Sequence, residues 1–293
     1  MSSSARESDH LVSAQALSGL SAASLNDLLI ADCSFDLLNP EQGYQLYQQA
    51  HIPGAVHVHL DRDLCGSKTG RNGRHPLPDR DVFVERLREL GIGNNTRVVA
   101  YDNAGGPYAA RLWWLLRWVG HDKVAVLDGG LEGWRRAGYD TASGNAVSSK
   151  QRAAFTAAAS LVRSVNFDDV LANLATRQAL VVDARAADRF GGKNETIDPV
   201  AGHIPDAVNR FFRNNLDESG YFKQPAQLRA EFEAVLGAWN SSQVINQCGS
   251  GVTGCHNLLA MEVAGLGGAA LYPGSWSEWI SRPGAPVATT AAF

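Results

Sequence analysis

At 293 residues the chain is long for one domain and comfortable for two, each with its own core. Its 45% apolar content is ordinary, no run approaches a membrane span, and a formal charge of −4 gives no reason to expect nucleic acid or an anionic membrane as partner. Four cysteines (Cys33, Cys65, Cys248 and Cys255) are too few for a disulfide framework, and the Met-Ser-Ser-Ser opening has no secretory n-region, so a reducing cytoplasm is the expected compartment.

Residues 1–10 are small and polar and are expected to form a disordered tail. Leu28–Asp32 then reads as a strand, followed by His51-Ile52-Pro53-Gly54-Ala55 and Val56-His57-Val58. Gly66 to His75 is too polar and broken for an element. Asp79–Leu90 has helical spacing, Arg97–Tyr101 is the next strand, Ala109–Val119 an apolar helix, and Val124–Leu127 a strand. Trp113, Trp114 and Trp118 on that helix read as core. Strands alternating with helices predict an α/β fold with a mainly parallel sheet flanked by helices.

The second half repeats the first. Val181-Val182-Asp183 answers Ile30-Ala31-Asp32, Gly202-His203-Ile204-Pro205 answers Ala50-His51-Ile52-Pro53, and Gly274-Ser275-Trp276 answers Gly129-Gly130-Leu131. The spacing is nearly constant: 152 residues from 51 to 203, 146 from 102 to 248, and 145 from 134 to 279. Two copies of one fold follow. The expected division is 11–141 and 161–293, with a linker rich in Ala, Ser and Thr over 142–160. His51 and His203, present in both copies, read as structural.

The stretch that carries chemistry is Cys248-Gly249-Ser250-Gly251-Val252-Thr253. It follows the strand Gln243–Asn246 and precedes a helix over Leu258–Ala264. Gly249 and Gly251 can take positive φ, letting the loop amides curl inward at the helix's positive end. A thiol held there should ionise easily, and the thiolate is the nucleophile. Spacing excludes rivals: Cys255 and His256 stand where a P-loop needs Lys and Ser or Thr, Cys248 and Val252 replace the glycines of a hydrolase elbow, and Gly254 stands where a cysteine phosphatase needs Arg.

The loop resembles that of the 3-mercaptopyruvate sulfurtransferases, relatives of the rhodaneses (thiosulfate sulfurtransferases). The resemblance covers about residues 11–285 and implies two tandem rhodanese-like domains with no metal or organic cofactor. In it Cys248 carries sulfur as a persulfide from 3-mercaptopyruvate to a thiol, such as a thioredoxin-like protein, or to cyanide. It implies that Ser250, Asp63 and His75 handle the proton. Arg189 falls on a position that grips the substrate anion, with Gly249, Gly251, Val252 and Thr253 as loop contacts. A second substrate arginine is expected before the Gly-His-Ile-Pro turn, yet Glu195-Thr196-Ile197-Asp198 stands there. Asp102 occupies the Cys248 position of the first copy, which makes that copy catalytically silent. Three alternatives stay open: thiosulfate as donor, a non-enzymatic persulfide relay, and redox sensing through Cys248 and Cys255.

Overall fold

The computed structural model describes residues 9–20, 27–145 and 151–289. Most of the expected N-terminal tail and part of the expected linker lie outside the described residues. The chain forms two compact units. One comprises Met1–Cys65, Pro78–Leu161 and Asp217–Phe222, and the other Gly66–Leu77, Val162–Leu216 and Lys223–Phe293. Each unit takes in a short segment from the other half of the sequence.

In the first unit the described elements run β1 (Leu11–Val12), α1 (Ala14–Ser18), β2 (Leu28–Asp32), α2 (Gln42–Gln49), β3 (Val56–His57), α3 (Leu60–Asp63), α4 (Arg80–Glu89), β4 (Arg97–Tyr101), α5 (Pro107–Trp118), β5 (Val124–Leu127) and α6 (Gly130–Arg136). The sheet order is β1-β5-β4-β2-β3 and every pairing is parallel. Side chains alternate along a strand, yet Val98 through Tyr101 are all buried, so both faces of β4 are covered. Val99, Tyr101, Ala125 and Leu127 meet Leu17, Tyr47 and Trp134 on one face. Trp113 and Trp114 are buried, as expected, whereas Trp118, at the end of the helix, is only half-buried.

The second unit repeats the plan: β6 (Arg163–Ser164), α7 (Phe167–Thr176), β7 (Leu180–Asp183), α8 (Ala187–Phe190), β8 (Val208–Asn209), a 3-10 turn at Phe212–Asn215, α9 (Pro225–Leu236), a 3-10 turn at Ser241–Gln243, β9 (Val244–Gln247), α10 (Thr253–Val263), β10 (Ala270–Leu271) and α11 (Ser275–Trp279). Its order, β6-β10-β9-β7-β8, is that of the first sheet and again all parallel. Helix α10 starts five residues before the expected Leu258. Gly254, Cys255, His256 and Asn257 are poor helix formers, but all four are buried, and tertiary packing overrides propensity there.

The repeated histidines do the same work in each copy. His51 Nδ1 lies 2.8 Å from Tyr47 O, and its backbone bridges to Ala142. His203 Nδ1 lies 2.8 Å from Phe190 O, its ring stacks on Phe190 at 3.8 Å, and its backbone bridges to Ala288. Each ties the turn before a strand to a later return of the chain, so sequence spacing and structure agree on a structural role.

Candidate active site

Cys248 directly follows β9, the central strand of the second sheet, and is 2% exposed. The loop Gly249–Val252 carries the chain to α10, whose N-cap residue Val252 makes no side-chain cap. The N-terminus of that helix adds its positive end to the loop. Ser250 N–H donates to Cys248 Sγ at 3.5 Å, while Cys248 N–H is taken by Ser275 Oγ at 3.1 Å.

Only one of the two loop glycines has positive φ. Gly251 has φ 78°, and a Cβ on it would lie 2.3 Å from Pro273 O. Gly249 stays outside the left-handed region, contrary to expectation; a Cβ there would stand 3.1 Å from Arg74 Nη2, the tip of a flexible side chain, so glycine is demanded less strictly than at Gly251. Val252 O accepts from Cys255 N–H at 3.0 Å, and Thr253 opens the helix. Cys255 Sγ donates to Gly251 O at 3.2 Å, so this buried thiol props the loop.

Ser250 Oγ and the buried His75 share a hydrogen bond of 2.7 Å at Nδ1. His75 reaches it because Gly66–Leu77 belongs to the second unit. That segment, expected to form neither helix nor strand, is pinned by Arg74 N–H donating to Ser277 Oγ at 2.9 Å and by Gly66 N–H donating to Pro76 O at 3.0 Å. Asp63 lies in the first unit. There its carboxylate accepts from His59 N–H at 2.6 Å and from Arg86 Nε at 2.9 Å.

Arg189 donates through Nε and Nη2 to Glu195 at 2.9–3.1 Å and through Nη2 to Asp198 Oδ2 at 3.1 Å. Burial opposes the charge on Glu195, but Arg189 and the N–H groups of Ile197 and Asp198 outweigh it and hold the carboxyl below its ordinary value. Arg185 instead closes on Asp183 and Gly202 O, both at 2.7 Å through Nη2, and stacks over Trp276 at 4.6 Å. That is a structural placement.

Sequence reasoning missed Arg74, Asp198 and Ser275. Ser275 has φ 53° where the first copy has Gly130 at φ 56°, so the repeat itself carried the signal. A serine tolerates that strained conformation because its hydroxyl bridges Cys248 N–H and Tyr272 O, the latter at 2.8 Å. The matching place after β4 holds Asp102. Its oxygens accept four N–H groups, from Ala104, Gly106, Tyr108 and Ala109, at 2.8–3.0 Å. Burial raises its carboxyl above the ordinary value while those four donors pull it down.

The rhodanese-like domain model matches residues 20–137 and 166–282. A protein named "Probable 3-mercaptopyruvate sulfurtransferase" from Pseudomonas aeruginosa is 44% identical over 265 residues, covering 90% of this chain and 93% of that one. The thiosulfate sulfurtransferase of Rattus norvegicus is 36% identical over 260 residues, covering 87% and 86%. Among solved structures, SseA from Escherichia coli, a 3-mercaptopyruvate sulfotransferase, superposes with a TM-score of 0.76 at 31% identity, covering 91% of this chain and 98% of that one. Sequence and fold thus agree that the chain belongs to the rhodanese family of sulfurtransferases and carries two rhodanese-like domains.

Proposed function

We propose that the protein takes a sulfur atom from 3-mercaptopyruvate onto Cys248 and passes it to a thiol, such as that of a thioredoxin-like protein, or to cyanide. The observation that carries this reading is Ser250: its N–H points at the Cys248 sulfur while its hydroxyl is joined to His75. The Cys248 thiolate attacks the donor sulfur, the donor C–S bond breaks, and its electron pair leaves on pyruvate enolate. Ser250 and His75 deliver the proton that turns the enolate into pyruvate. The acceptor thiolate then attacks the outer sulfur of the persulfide and restores the Cys248 thiolate. Burial of Cys248 shields the loaded sulfur from water.

Arg189 binds the donor's anionic group, and Gly249, Gly251, Val252 and Thr253 shape the loop around it. Family resemblance assigns Asp63 a share in the proton handling. Asp102 leaves the first copy silent, because a carboxylate cannot accept and pass on sulfur. Thiosulfate is the second reading, favoured by Asp198 standing where a second substrate arginine is expected. A reducing cytoplasm, which keeps the Cys248 thiolate free, is the proposed compartment; among the described residues no helix is long and apolar enough to cross a membrane.

Intact-protein mass after incubation with each donor tests the scheme. One sulfur atom should be gained, lost in Cys248→Ala and kept in Cys255→Ala; loss in Cys255→Ala alone would overturn it. Pyruvate release from 3-mercaptopyruvate should exceed sulfite release from thiosulfate in kcat/KM, and a tenfold advantage for thiosulfate would reverse the choice of donor. Ser250→Ala and Asp63→Asn should slow pyruvate release, Ser250→Ala by about 10²-fold, with donor binding kept. Unchanged rates would remove these residues from the proton step.

A further inference from the structure

Three charged side chains converge on Gly249, the neighbour of the nucleophile. A Cβ there would lie 3.1 Å from Arg74 Nη2 and 3.8 Å from both Arg189 Nη2 and Asp198 Oδ2. The other charges nearby are matched: Arg185 closes on Asp183, and Glu195 takes the fork of Arg189. What remains is one carboxylate between two guanidinium groups. Asp198 accepts from Arg74 Nη1 through Oδ1 at 2.5 Å and from Arg189 Nη2 through Oδ2 at 3.1 Å. The Asp198 side chain is 2% exposed, against 26% for Arg74 and 18% for Arg189, so solvent reaches the cations more than the anion between them.

Arg74 is also held in place. Its N–H donates to Ser277 Oγ, and Ser277 N–H donates to Gly249 O at 2.9 Å, so Arg74 and the loop beside Cys248 share one anchor. Gly73, at φ 85°, lies against Gly274, where a Cβ would come within 2.7 Å of Gly274 O. The buried Nε of Arg74 has no acceptor among the described residues.

We infer that Arg74 is a specificity-determining residue that, with Arg189, binds the anionic end of the sulfur donor, and that Asp198 is the internal counter-ion the donor must displace from Arg74. This rests on Cys248 being the sulfur carrier. An oxyanion bridging two guanidinium groups is what Asp198 already is, and a donor carboxylate or the sulfonate end of thiosulfate presents the same chemistry. Arg74 thereby supplies the cation that Glu195-Thr196-Ile197-Asp198 lacks. With Arg74 and Arg189 balanced by Glu195 and Asp198, the cluster is neutral, so donor binding is weakened by competition from Asp198. Removing its charge leaves one net positive charge for the donor.

Alkylation separates charge recognition from thiol reactivity. Iodoacetate and iodoacetamide both replace iodide by the Cys248 sulfur and differ chiefly in the carboxylate; labelling of the Cys248 peptide is followed by mass. The rate ratio of iodoacetate to iodoacetamide should fall about tenfold in Arg74→Ala and in Arg74→Gln, which keeps more of the stem, and rise severalfold in Asp198→Asn. In turnover, Arg74→Ala should raise KM for both 3-mercaptopyruvate and thiosulfate, with kcat within about twofold. An unchanged ratio in both Arg74 variants, or a lower one in Asp198→Asn, overturns the inference. Cys248 that loads no sulfur from either donor in the unaltered protein would sink the persulfide reading and this inference with it, a result distinct from normal loading with an unchanged ratio.

Discussion

Two side chains at matching places in the repeat meet the same backbone in different ways. Asp102 fills its loop, with four N–H groups closing on its carboxylate. Cys248 leaves its loop in contact with a hydroxyl, an imidazole and the Arg74 cluster. Asp102→Ala should therefore destabilise the protein by about 3 kcal/mol or more, because buried donors lose their acceptor. Asp102→Asn, which keeps one carbonyl oxygen, should cost less; urea midpoints rank the two. Gly251→Ala combines a left-handed φ with a 2.3 Å approach to Pro273 O and should cost about 2 kcal/mol or more. It should also slow sulfur loading onto Cys248 in single-turnover mass measurements. Equal stability and loading would show that the loop tolerates a shift. Such residue-level demands were only half legible: the glycines announced a tight loop, but whether each was there for φ or for space depended on Pro273 and Arg74, both far along the chain.

At the scale of elements, the turn from α8 through Asp198 is held by charge rather than by apolar burial. Glu195 has a folded-state pKa below its ordinary value, so its contribution is complete above the unfolded value and is lost as pH falls through the folded one. Stability should decline on acidification below about pH 4.5, and Glu195→Gln should start lower and lose less over that range. Urea unfolding at a series of pH values checks this; a parallel decline in the variant would mean that other carboxylates carry the effect. The strands were the most readable elements: β2, β4 and β5 have the expected bounds, because a strand buried on both faces is a continuous apolar run. Short strands such as β6 and β10 were not read, since two residues carry no period.

At the scale of the molecule, each unit draws a segment from the other half of the sequence. A chain reduced to residues 162–293 keeps Cys248 and Arg189 but loses Arg74 and His75. It should melt at a lower temperature than the whole protein and gain little sulfur from 3-mercaptopyruvate. Full loading of that fragment would mean that Gly66–Leu77 contributes nothing to the chemistry.

The amino-acid order alone determined the twofold repeat, the parallel strands and the place of Cys248 at the mouth of one strand. Apolar runs and glycine spacing are local properties that survive without knowledge of distant partners. Only the tertiary structure decided which polar groups surround that sulfur. The bond from His75 to Ser250 spans 175 positions and that from Arg74 to Asp198 spans 124. Hydrogen bonds and ion pairs form between groups the closed chain brings within about 3 Å, and no periodicity in the sequence encodes such a meeting.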